Sequence, residues 1–256
     1  MDERPIGIFD SGLGGLSVLK EAMGLMPNER FIYYGDNRNA PYGEKPQSVI
    51  KELSFACVEL LREKGVKAVV VACNTATSVA VEDMRRRFDF PIISMEPAIK
   101  PALAFAGESR VIVLATPATV KQQRYLNLVD ALGAEERITN IPCGGLVDII
   151  EGGELSGAKI SDKLDELLFG VDTAAAAVVL GCTHYVLAKE AVAAALVRAG
   201  IKAALFDGNA GTVAQLKNVL AGKGMLSEGE GGVELYTSGD AERVIPIYKK
   251  VMGMER

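Results

Sequence analysis

The chain has 256 residues, of which 49% are hydrophobic and 24% charged, with a formal net charge of -5. These totals fit a folded globular protein long enough to divide into two units, and they exclude a disordered or fibrous chain. The acidic excess is mild and there is no basic block, since Arg85, Arg86 and Arg87 lie beside Asp83 and Asp89, so no nucleic acid partner is expected.

In chain order, the apolar run "PIGIF" precedes a helical pattern from about Leu16. "RFIYYG" then precedes a helix over Gln47 to Lys64, and "KAVVVAC" precedes one that runs to Phe88 and is followed by "PIISM". The second half repeats the rhythm with "RVIVLA", "RITNIPC", "AAAAVVLGC" and "IKAALF", most of them followed by a turn and another helix. Strands that are apolar throughout, separated by helices, indicate parallel sheets covered on both faces. The expected class is therefore α/β: two similar α/β domains with mainly parallel sheets, related by pseudo-two-fold symmetry, with the site in the cleft between them. The boundary is expected near "MEPAIKPA", so that residues 1–97 with 207–256 form the first domain and 98–206 the second.

Asn74 and Thr75 read as caps of the helix after "VVVAC", Pro117 suits a first turn, and Gly65 and Gly200 suit helix ends. The longest uninterrupted apolar stretch, Ala174 to Leu180, is too short to cross a bilayer, and "MDERPIGIFD" has no signal-peptide core. A cytoplasmic location follows as an expectation. So does the lack of a regulatory extension ahead of the first strand. Four cysteines without a CxxC pair read as thiols in a reducing compartment.

Ligands of open parallel sheets bind beyond the carboxyl ends of the strands, so the residues just after the apolar runs carry the chemistry. "VVVACNTA" and "VVLGCTHY" send a cysteine off matching strand ends, each at the start of a helix where backbone N–H groups favour a thiolate or an anion. Cys57 inside "SFACVELL" and Cys143 read as packing. For Cys73 and Cys182 a disulfide conflicts with a reducing compartment. Zinc lacks ligands in a chain with one histidine, and a cysteine-histidine nucleophile pair leaves Cys73 without a role. Proton transfer on both faces of one carbon uses both sulfurs, and it inverts a stereocentre without a cofactor. Asp10 then suits Cys73 and His184 suits Cys182 as assisting groups. "SGLGG" reads either as a tight strand-to-helix turn or as a place for close backbone approach to a carboxylate. Ser17 spoils it as a dinucleotide fingerprint, and no phosphate-loop lysine follows.

"IGIFDSGLGG", "YYGDNRNAPYGEK", "VACNTATS", "EPAIKPA" and "LGCTHY", in this order from residue 6 to about residue 213, resemble the glutamate racemases of the aspartate/glutamate racemase superfamily. The resemblance implies interconversion of L- and D-glutamate without pyridoxal phosphate or metal, supply of D-glutamate for peptidoglycan, and a homodimer. It implies Cys73 as the base for the D-enantiomer and Cys182 for the L-enantiomer, assisted by Asp10 and His184, with Asp36 and Glu151 as further acidic residues. Implied substrate contacts are Asp10, Ser11, Pro41, Tyr42, Gly43, Asn74, Thr75, Thr119, Thr183 and His184. Glu154 competes with Glu151, a loop-capping role competes for Asp36, and "FDGNAGTV" departs from the usual "DS" pattern. Two rival readings are an aspartate-type racemase, against which His184 argues because those relatives tend to carry glutamate after "GCT", and a non-catalytic dicarboxylate-binding module.

Overall fold

Parallel pairing of largely apolar strands builds two sheets in the computed structural model, which describes residues 1–254. The first half contributes β1 (Ile6–Asp10), α1 (Leu16–Leu25), β2 (Arg30–Gly35), α2 (Gln47–Glu63), β3 (Ala68–Val71), α3 (Asn74–Arg87) and β4 (Ile92–Ser94). The second contributes α4 (Ile99–Ala106), β5 (Arg110–Ala115), α5 (Pro117–Lys121), α6 (Gln123–Ala131), β6 (Ile138–Pro142), α7 (Leu146–Glu151), α8 (Ala158–Leu168), β7 (Ala175–Leu180), α9 (Thr183–Leu187), α10 (Lys189–Arg198) and β8 (Ala204–Asp207). The chain closes with α11 (Asn209–Gly222), β9 (Gly232–Thr237) and α12 (Ala241–Met252).

The sheet orders are β4-β3-β1-β2-β9 and β6-β5-β7-β8, with every pairing parallel. Read from the other end, the second order is β8-β7-β5-β6, which repeats β4-β3-β1-β2 strand for strand. The ends of β3 and β7 are thus equivalent places in two copies of one plan. β9 is the addition, in register beside β2 from Arg30 with Gly232 to Gly35 with Thr237.

Alternation along the central strands explains why they read as apolar throughout. Ile6, Ile8 and Val70 face a core shared with α1, α11 and α12, whereas Phe9, Val69 and Val71 face one shared with α2 and α3. The second sheet is likewise covered on both faces, by α7, α8 and α10 on one side and by α4 and α6 on the other. Gly65 and Gly200 end helices with positive φ, and Pro117 occupies the first turn of α5, as the sequence indicates. Among the described residues, no helix is long and apolar enough to cross a membrane.

One ionic staple holds the returning C-terminal segment. Lys67 is fully buried; its Nζ donates to Asp2 O at 2.6 Å and Met225 O at 2.7 Å and lies 2.6 Å from Glu29 Oε2. Glu29 Oε1 accepts in turn from Ser227 N at 2.9 Å. A buried ammonium left without its counter-charge is costly, whereas an apolar replacement of both partners is not. Glu29→Ala is expected to lower unfolding stability by about 3–5 kcal/mol in urea titrations, and the Glu29→Leu, Lys67→Met pair to restore most of it. A single variant as stable as the parent contradicts the burial of this pair.

Candidate active site

Each sheet delivers its chemistry where a strand ends. Asp10 closes β1 and is fully buried; its carboxylate accepts from Gly12 N at 2.9 Å and from Thr183 Oγ1, across the cleft, at 3.0 Å. After β3 the chain reaches Cys73, which caps α3 itself: the sulfur accepts from Ala76 N at 3.4 Å. The capping role expected of Asn74 and Thr75 falls one residue earlier, and these two form the first turn of the helix instead. Ser11 Oγ lies 3.6 Å from the Cys73 sulfur, while the hydrogen bonds of the Asp10 carboxylate go to Gly12 and Thr183. After β7, Cys182 stands at the N-terminus of α9, with its sulfur 3.7 Å from His184 Nδ1.

Glu151 ends α7 and reaches the same place. Its Oε1 lies 2.5 Å from His184 Nε2 and accepts from Leu13 N at 2.6 Å, while Oε2 accepts from Asn37 Nδ2 at 2.8 Å. Glu154, the competing carboxylate, accepts from Lys159 N at 3.0 Å on an exposed turn. The glycines of "SGLGG" have no left-handed conformation; what they supply is room. A β-carbon at Gly12 would collide with the Glu151 carboxylate, and one at Gly14 would meet Thr183 Oγ1 and the His184 backbone nitrogen.

The loop after β2 forms another wall. Asp36 accepts from Tyr42 OH at 2.6 Å, Ser238 Oγ at 2.5 Å and Asn39 Nδ2 at 3.0 Å, so its carboxylate organises the loop. Tyr42 is buried behind Pro41, and Gly43 packs against Thr116, where a β-carbon would come within 2.7 Å. The Thr75 hydroxyl reaches across the cleft to those of Thr116 at 3.1 Å and Thr119 at 3.3 Å, which lie 2.9 Å from each other. Asn74 Oδ1 is buried without a partner. Cys57 lies under Tyr42 at 3.8 Å from its hydroxyl, and Cys143 points its sulfur at Ile141 O at 3.3 Å. Both are buried among apolar side chains.

Burial, and then the nearby Asp10 charge, push the Cys73 thiol up to about 12, against the pull of Ala76 N–H and Ser11. Burial also raises Asp10, opposed by the His184 charge and by its two donors. For Glu151 burial pushes upward, but the bond and charge of His184 and the donors Leu13 N and Asn37 outweigh it, leaving the carboxyl below its usual range. His184 shows the mirror image: burial opposes the imidazolium, and contact with Cys182 and Glu151 lifts it well above the ordinary value. The arrangement therefore holds a buried ion pair beside one sulfur and a protonated thiol at the other. Thr116, Asn37 and Tyr248 are site-building residues that sequence reasoning missed. Thr116 had a readable signal, as a capping residue before Pro117 at a strand end.

The family described as Asp/Glu/Hydantoin racemase matches residues 17–216. A glutamate racemase from Clostridium perfringens is 44% identical over 256 residues, spanning 98% of this chain and 97% of the relative. Glutamate racemase from Francisella tularensis, solved in complex with D-glutamate, superposes with a TM-score of 0.84 at 29% identity, covering 100% of this chain and 95% of that one. The Escherichia coli glutamate racemase, solved with L-glutamate and the activator UDP-MurNAc-ala, gives a TM-score of 0.82 at 30% identity, covering 97% and 95%.

His184 is the single histidine of the chain, so one imidazole resonance reports the ion pair. A raised folded value means that the imidazolium stabilises the fold fully below about 6.5 and loses that contribution as pH rises through the folded midpoint. The lowered Glu151 contributes above about 4.5 and loses its share as pH falls through its own folded value. An NMR titration is expected to place the His184 midpoint well above 6.5 and to move it down in Glu151→Gln. A parental midpoint at or below that value contradicts the ion pair.

Proposed function

Because the chain belongs to the Asp/Glu/hydantoin racemase family, we propose that it interconverts L- and D-glutamate by exchanging the α-proton between Cys73 and Cys182. The observation that carries this reading is the bond from Thr183, next to Cys182, to Asp10, next to Ser11, whose hydroxyl lies 3.6 Å from the Cys73 sulfur: it ties together the ends of the two sheets from which the cysteines follow. Relatives named glutamate racemase, two of them solved with one or the other enantiomer of glutamate, support the choice of substrate.

With L-glutamate bound, the Cys182 thiolate takes the α-proton and the Cys73 thiol delivers one to the opposite face, giving D-glutamate; the reverse reaction exchanges the roles. Cys73, pushed up to about 12, is in the thiol form that delivery requires. His184, protonated beside Cys182 Sγ, stabilises the thiolate that takes the α-proton of L-glutamate, and in the reverse direction it returns a proton to that sulfur after Cys182 has delivered its own. Asn74 Oδ1, a buried acceptor without a partner, receives the substrate ammonium, and the Thr75, Thr116 and Thr119 hydroxyls receive a carboxylate. A placed acid-base pair contributes roughly a hundred- to ten-thousandfold, and a cleft closed to water strengthens the dipoles that stabilise developing charge.

On this reading no cofactor takes part, the product feeds peptidoglycan synthesis and with it cell shape, and the enzyme works in the cytoplasm as a homodimer. Its two lobes are residues 1–97 with 207–256, and 98–206. Asp36 and Tyr42 act by holding the loop that carries Pro41 and Gly43 against Thr116.

Incubation with L-glutamate in deuterated water is expected to show loss of optical rotation together with deuterium at the α-carbon. Aspartate under the same conditions is expected to keep its rotation. Cys73→Ser and Cys182→Ser, nearly isosteric, are each expected to lower the rate by at least about a hundredfold with the fold retained. A Cys182→Ser variant racemising near the parental rate refutes the two-thiol account, and a parent that binds glutamate without exchanging its α-proton makes the protein a binding module.

A further inference from the structure

The C-terminal strand and helix carry no recognisable motif, yet their side chains end at the site. Asn37 follows β2 and presents its amide between two walls: Nδ2 donates to Glu151 Oε2 at 2.8 Å, and Oδ1 accepts from Thr237 Oγ1 of β9 at 2.9 Å and from Tyr248 OH of α12. A carboxylate only accepts and the two hydroxyls can donate, so the amide has one orientation that satisfies all three bonds. Tyr248 is fully buried, its ring edge-on to Tyr33 at 5.3 Å and 81°. Tyr33 OH donates to Gly12 O at 2.6 Å, inside the glycine turn. Gly35 makes room for the Tyr248 hydroxyl, which would collide with a β-carbon there.

We propose that Asn37 is a positioning residue, fixed by the hydroxyls of Tyr248 and Thr237, which holds the Glu151 carboxylate on His184 Nε2 and so sets the imidazole beside the Cys182 sulfur. The inference rests on the reading of this site as a racemase centre. Asn37 acts through Glu151 and His184, so it governs the chemical step more than substrate affinity. Glu151 accepts at Oε1 from the Leu13 backbone as well, and without Asn37 its second oxygen has no donor to stop it rotating away from the ring. The return of the chain to add β9 to the first sheet thereby serves the site as well as the sheet edge.

The test compares Asn37→Ala and Tyr248→Phe with the parent, using Tyr236→Phe, whose hydroxyl bonds Glu234 on the same strand, as control. Asn37→Ala is expected to lower kcat for glutamate roughly ten- to a hundredfold with KM within about twofold. It is also expected to shift the NMR midpoint of His184 downward. The ionisable groups facing that ring are Cys182, Glu151 and Asp10, with Tyr33 and Tyr248 around Glu151. Tyr248→Phe, which keeps the ring packed on Tyr33, is expected to move kcat and the midpoint in the same directions by less, and Tyr236→Phe to match the parent. If Asn37→Ala fails to fold, Tyr248→Phe decides alone. Parental His184 midpoints in the folded variants, or a raised KM with parental kcat, overturn the proposal. A parent that does not racemise glutamate refutes the functional reading instead, and the midpoints still decide whether Asn37 holds the ion pair.

Discussion

The bond between Thr183 and Asp10 joins a helix start on the second sheet to the central strand of the first, with both groups out of contact with water. A carboxylate in that position must find donors within the protein, and one of its two comes from the opposite lobe. The lobes are therefore joined through the carboxylate that closes β1. Separation would leave Asp10 short of a donor.

Space is the second constraint. Gly12, Gly14 and Gly43 lie where the opposite lobe approaches most closely, against Glu151, Thr183 with His184, and Thr116. None of the three has a backbone conformation denied to other residues. Their service is steric, because a methyl group at any of them would stand where a polar side chain of the other lobe has to sit. The Glu151 and His184 pair depends on this closeness: a buried ion pair is favourable only when its charges touch and its remaining lone pairs find donors, as those of Glu151 do at Leu13 and Asn37.

Much of this was readable in the chain because fully covered strands leave an unbroken apolar trace, and the residue after such a trace is where a parallel sheet exposes its chemistry. Cys73 and Cys182 both fall there, at matching points of a repeated strand order. Local reasoning failed where contact is made by distant segments. Asn37 and Tyr248 are separated by 211 residues, and they meet only because β9 adds to the edge of β2. The cap of α3 was misplaced for a different reason: sulfur, an uncommon capping atom, occupies the position that Asn74 or Thr75 would ordinarily claim. For Asp36 the loop-capping alternative matches the structure, since Tyr42 and Asn39 of its own loop engage the carboxylate, but the bond from distant Ser238 left no local trace.

The strand order also dictates a sequence of events during synthesis. All four strands of one sheet, β5 to β8, lie within a continuous stretch that ends at Asp207, whereas the other sheet waits for β9, which ends at Thr237, and for the helix behind it. The sheet that contains β1 is thus completed after the sheet that contains β5. A nascent chain carries Cys73 and Cys182 before Tyr248 arrives, so the hydrogen-bond chain from Tyr248 through Asn37 to Glu151 closes only after synthesis has passed residue 248.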